Sequence, residues 1–168
     1  MKTSQELKDR KLNILKYSVI RPEMYAHDHF GVESFFRFLL DDLAFIDEKE
    51  DDLETHLNYL NEKELFSASG VAGHLLRYFS KVDSVSKETA SIYSEISYNL
   101  GYLELDTLLS LKDWENIFNT IRDQCKNQDL RLEDLVNQFG PPSLAIGSAW
   151  QQVHCYVCDD KNKEWIFF

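Results

Sequence analysis

The stretch Val32-Glu33-Ser34-Phe35-Phe36-Arg37-Phe38-Leu39-Leu40-Asp41-Asp42-Leu43-Ala44-Phe45-Ile46 decides the fold. It is the most hydrophobic run in the chain. Phe35, Phe36, Phe38, Leu39, Leu40, Leu43, Phe45 and Ile46 cover most of the circumference of a helix, so the run predicts a central core helix from about Val32 to Ile46. A membrane-spanning helix needs about 20 consecutive apolar residues, and no run in the sequence approaches that length.

Working outward toward the N-terminus, Leu7, Leu12, Leu15 and Val19 recur at helical spacing. They predict a first helix from Ser4 to about Val19. Arg21-Pro22 ends it, because the residue before a proline is pushed out of the helical region. A loop over Glu23 to Gly31 joins the two helices. Toward the C-terminus, the charged stretch Asp47 to Asp52 interrupts the apolar pattern. Leu53, Leu57 and Leu60 then form one stripe of a third helix, about Asp51 to Leu65. Ser69-Gly70 separates it from a fourth, Val71 to Phe79. Ser84 or Ser86 can cap a fifth, whose buried face is expected at Ile92, Ile96, Leu100 and Leu103. Gly101 falls within that run as a candidate kink or close crossing. Residues 105–124 are expected to continue helical with a break near Lys112-Asp113. A last helix over Arg131 to Phe139 is stopped by Gly140-Pro141-Pro142.

The final residues change period. Val153, Cys155 and Val157 alternate with His154, Tyr156 and Cys158, and Asp159 to Asn162 reads as a turn before the aromatic stretch Glu164 to Phe168. Alternation around a turn predicts a β-hairpin. The expected fold class is therefore α+β and predominantly α: a multi-helix single domain over residues 1–168 with a C-terminal β-hairpin. A chain of 168 residues with 43% apolar composition can bury a core without disulfide or metal staples. Its three cysteines are an odd number and do not form a disulfide framework. Met1 to Arg10 is polar, without the apolar core of a secretory signal, and a cytoplasmic location is expected.

The charge balance is 18 basic against 29 acidic residues, a net charge of −11. Such a chain repels nucleic-acid backbones and anionic membrane surfaces, so the expected partner is a basic protein. Asp41, Asp42, Asp47, Glu48, Glu50, Asp51, Asp52 and Glu54, against Lys49 alone, supply −7 of the −11. The plain reading of this run is a solubilising helix end; the alternative is a docking surface for a cationic partner.

Other chemistry is sparse. His27-Asp28-His29 places two imidazoles and a carboxylate on one loop, a mixture that suits a transition metal. No histidine precedes His27 to complete an HD-type phosphohydrolase pattern, and His56 and His74 have no paired ligand three or four residues further on. Cys155-x-x-Cys158 has the spacing of a zinc or redox motif, but within a strand the two side chains point to opposite faces. Ser69-Gly70-Val71-Ala72-Gly73 opens a helix without the preceding strand of a phosphate-binding loop, and reads as a helix–helix corner. There is no Gly-x-Ser-x-Gly elbow. No catalytic residue, metal ligand or cofactor is assigned.

Two segments carry a resemblance. Ile20-Arg21-Pro22-Glu23-Met24-Tyr25, followed by Gly31-Val32-Glu33-Ser34-Phe35-Phe36, resembles the opening of small bacterial proteins encoded beside toxins, many of which have Gly where this chain has Glu23. The tail from Leu132 to Phe168, including Val136 to Ser143, is similar to helix–turn–hairpin units of bacterial inhibitor-like proteins. The resemblance implies an immunity protein of a polymorphic or contact-dependent toxin system: non-enzymatic, binding one toxin domain, often a nuclease, and occluding its active site. It carries over no functional residues, so the acidic run is the expected contact region on electrostatic grounds alone. The alternatives are a metal-dependent hydrolase built on His27, Asp28 and His29, and a regulatory protein-binding adaptor.

Overall fold

The computed structural model describes residues 3–25, 30–65, 70–78, 85–124, 131–148 and 152–168. The described chain is predominantly helical, with seven α-helices and a small three-stranded antiparallel sheet near the C-terminus, the α+β class that the sequence periods predict. Its contacts divide into two compact units, Met1–Glu104 with Ile146–Gln152, and Leu105–Ala145 with Val153–Phe168.

In the first unit, α1 (Ser4–Ile20) opens on a capping box. Thr3 Oγ1 accepts from the Glu6 amide at 3.2 Å, and Glu6 Oε2 accepts from the Thr3 amide at 2.8 Å. Two donors that the helix leaves unpaired are thereby satisfied. A short 3-10 turn over Pro22–Tyr25 leads toward α2 (Gly31–Asp47), which packs against α1, α3 (Glu50–Glu62), α4 (Gly70–Tyr78), α5 (Ser86–Asn99) and the turn itself. It is the central helix that its hydrophobicity predicts. It is not buried all round, however. Val32, Phe36, Leu39, Leu40, Leu43 and Ala44 are buried, whereas Phe38 and Phe45 are 66% and 74% exposed.

The burial of α5 differs from expectation. Ser86, Thr89, Ala90, Ser91, Tyr93, Ser94, Ile96 and Ser97 are buried, while Ile92 is only half-buried. The hydroxyls turn back on the helix: Ser94 Oγ donates to the Ala90 carbonyl at 2.7 Å and Ser97 Oγ to the Tyr93 carbonyl at 2.6 Å. A serine whose hydroxyl is bonded within its own helix presents a small surface that a neighbour can approach closely. Gly101 is not a kink. It follows the end of the helix with φ of +81°, the left-handed conformation that terminates helices.

The most consequential interior residue of this unit is charged. Glu33 on α2 is 5% exposed. Its Oε1 accepts from the Val71 amide and the Tyr93 hydroxyl, both at 2.9 Å, and its Oε2 accepts from the Ala72 amide at 2.9 Å. The carboxylate thereby caps the first turn of α4, where unpaired amides and the helix dipole favour a negative charge. Burial and the adjacent Glu33 carboxylate push the Tyr93 phenol well above its usual pKa, so it stays protonated as a donor.

In the second unit, residues 105–110 are irregular rather than helical, with a bend at Asp106, and α6 covers Leu111–Gln124. The Leu109 amide donates to the Val157 carbonyl at 2.8 Å and the Asp159 amide to the Leu109 carbonyl at 2.9 Å. These bonds hold Leu109 beside Cys158 in an isolated parallel bridge. Ser110 Oγ accepts from the Asp113 amide and starts the helix there. The sheet runs in the order β1 (Leu144–Ile146), β2 (Val153–Tyr156), β3 (Ile166–Phe167). The predicted hairpin is β2 with β3, antiparallel, with Cys155 opposite Phe167 and Tyr156 opposite Ile166. Strand β1 is not foreseen by the alternation. The core joins Trp114, Ile117, Tyr156, Cys158 and Ile166, flanked by Leu109, Ile121 and Phe139 of α7 (Leu132–Phe139).

Glycine substitutions separate a backbone effect from a steric one. Gly70 has φ of +75°, and a Cβ there would lie 2.3 Å from Glu33 Oε1. The nearest atom to a Cβ at Gly101 is Lys49 Nζ at 4.0 Å. Gly101→Ala is expected to cost about 1 kcal/mol of left-handed strain, and Gly70→Ala more than about 3 kcal/mol because it also displaces the buried carboxylate. Urea denaturation of the two variants measures the difference.

Candidate interaction surface

The acidic run spans the end of α2 and the start of α3, and the structure sorts its members. Asp42 pairs with Lys11, and Asp47 with Lys8 at 2.7 Å, so two carboxylates of the run fasten α2 to α1. Lys49 is also engaged: its Nζ donates to the Leu100 carbonyl at 2.8 Å and lies 5.4 Å from the Tyr102 ring centroid. The single cation of the run thus caps the end of α5. The other six acids, Asp41, Glu48, Glu50, Asp51, Asp52 and Glu54, are exposed.

Local physics explains much of this. Glu50, Asp51 and Asp52 occupy the first turn of α3, where each carboxylate favours the helix dipole by about 0.3–1 kcal/mol. Glu48 is different. It closes α2 with φ of 55°, a left-handed conformation that glycine adopts without the strain a side chain incurs.

Sequence reasoning missed the pairing lysines. The available signal was the spacing of Lys8 and Lys11, which puts both on one face of α1. It also counted Phe38 and Phe45 as core. They lie two turns apart with Asp41 between them, a pattern that places all three on one side of the helix. Lys11 Nζ lies 5.7 Å from the Phe38 ring centroid and borders that side. Beside Phe38 a shallow cleft of about 400 Å³ is walled by Phe30, Ser34, Arg37 and Asp41 and floored by Glu33 and Gly70.

The other candidate positions gather little chemistry. His27, Asp28 and His29 lie outside the described residues, as does Cys125. Among the described residues, no three His, Cys, Asp or Glu side chains group closely enough to hold a metal ion. Cys155 and Cys158 are buried thiols of the second unit, and burial raises the Cys158 pKa, the direction opposite to that of a reactive thiolate. No described helix is long and apolar enough to cross a membrane.

Comparison with known proteins leaves the surface to be read on its own terms: no protein-family model, no curated protein and no solved structure matches the chain.

Two outcomes follow from these environments. Burial lowers the pKa of His154 and of His56, opposed at His56 by the Asp52 carboxylate. The unfolded chain therefore binds protons at pH values where the folded chain does not. Stability contributed by the neutral imidazoles is complete above the unfolded value of 6.5 and declines as pH falls below it. The urea midpoint should drop between about pH 7.5 and about pH 5.5, and the drop should be shallower in His56→Gln. At Glu48, replacement by glycine relieves the left-handed strain and should raise stability by about 1 kcal/mol in the same assay.

Proposed function

We propose that this chain is an inhibitory binding protein of the immunity type, which neutralises a cognate basic toxin domain, of nuclease kind, by covering its active site. The observation that carries this reading is the group of six exposed carboxylates at the α2–α3 junction, left over after Asp42 and Asp47 are neutralised within the fold. A net charge of −11 adds a long-range field of the same sign. Nuclease domains concentrate cations where they hold the nucleic-acid backbone, and a surface of clustered carboxylates competes for those cations. The mechanism is electrostatically steered association followed by occlusion, with no chemical step on this chain.

The contact region is Asp41, Glu48, Glu50, Asp51, Asp52 and Glu54. Asp42 and Asp47 lend their charge to the field, but their carboxylates are already engaged with Lys11 and Lys8.

The first test is affinity capture of the tagged protein from its native bacterium with mass spectrometry. The expected result is a basic toxin domain in equimolar amount, inactive while bound. Recovery of the protein alone, or with a partner lacking a basic surface, refutes the reading. With the partner in hand, replacing Asp41, Glu48, Asp51 and Glu54 by Lys should slow association by about 10-fold or more and flatten its dependence on ionic strength. All four positions are exposed.

A further inference from the structure

Phe38 and Phe45 are the most exposed large hydrophobic side chains among the described residues, at 66% and 74%. They follow one another along the outer side of α2 at an interval of seven residues, about 10.5 Å along the axis. Asp41 stands between them and Glu48, which closes the helix, follows two turns beyond Asp41, both exposed. The outer side of α2 therefore carries an apolar row and, displaced by about 60° around the helix, an acidic row. Its opposite border is different: Lys11 lies against Phe38 and is itself paired with Asp42. The face is thus polarised across its width as well as apolar along its length.

We infer that this face of α2 is the anchoring part of the contact, and that it receives a cationic amphipathic helix of the partner. This rests on the reading of the chain as an inhibitor of a basic protein and specifies what that protein presents. A second copy of this chain is the poorer occupant, because two chains of charge −11 bring like charges together. An apolar row with a two-turn repeat matches the row of a second helix packed alongside it at roughly 8–10 Å. Cations on one flank of that helix meet Asp41 and Glu48. The other flank holds Lys11 already paired with Asp42, a neutral border that offers such cations no free carboxylate. Aromatic side chains emptied of water at the centre of an interface carry most of its energy, whereas rim charges set the rate. Phe38 and Phe45 should therefore govern dissociation, and the acids association.

The test uses a synthetic amidated helical peptide with a leucine row at heptad spacing and lysines along one flank, and a control peptide with the leucines replaced by serine. Binding to the full chain is followed by amide chemical shifts and fluorescence anisotropy. The expected result is a set of shifts centred on residues 34–48, loss of binding with the serine peptide, and weakening by about 30-fold in the Phe38→Ala, Phe45→Ala double variant. Both positions are exposed, and an unchanged melting temperature shows that the variant is folded. Equal binding of the two peptides, indifference to the double variant, shifts confined elsewhere or no binding at all each overturn the inference. Sedimentation of the free protein as a dimer that the double variant abolishes overturns it too, in favour of a second copy. None of these outcomes refutes the inhibitor reading, which stands or falls on the captured toxin domain.

Discussion

The first unit is organised around a carboxylate that has to be satisfied away from water. A buried ionised group without partners costs several kcal/mol, and Glu33 escapes that cost only because Val71, Ala72 and Tyr93 all donate to it. The three donors come from α4 and α5, so neither helix can shift without stranding the charge on α2. Gly70 belongs to the same constraint, since the space where a side chain would stand is filled by the Glu33 carboxylate. Once Glu33 is fixed inward, helical geometry turns Phe38 through about 140° relative to it, toward the outside. The exposure of the two phenylalanines is thus a consequence of the buried glutamate, not an accident of composition.

That dependence also marks where the sequence was legible. Helices whose apolar residues recur at regular intervals, α1 to α4 and α7, stand within a few residues of their expected bounds. The α2 run announced its central position but not its orientation, because a count of apolar residues is blind to one acid that fixes the inner side. The burial of α5 was read too narrowly, since serines that bond their own helix count as polar in sequence and behave as small residues in packing. The start of α6 was placed too early: residues 105–110 carry enough leucine to pass for helix, but their backbone pairs elsewhere, Asp106 with Ser143 and Leu109 with Val157 and Asp159. Strand β1 is too short, at three residues, to show a period.

The acidic run illustrates a similar division at the level of charge. Read along the chain, its eight acids are equivalent. In three dimensions two fasten helices, three sit where a helix start favours them, and Glu48 occupies a backbone conformation that a glycine would relieve. What the sequence conveyed was the total charge and its place. What it could not convey was which carboxylates the fold had already engaged, because the lysines that engage them lie more than 30 residues earlier on another helix.

The division of the chain bears on how the molecule is made. The first unit takes residues up to Glu104 and then Ile146–Gln152, while the second takes the intervening stretch and the tail. The spans overlap, so a single cut at any point leaves at least one unit incomplete. A ribosome meets the same constraint. By the time α5 has emerged, the helical part of the first unit is present, yet its last segment follows only after α6 and α7 have been synthesised. The nascent first unit must therefore wait, unfinished, for most of the second to be translated. Neither unit is therefore exchangeable as one contiguous cassette.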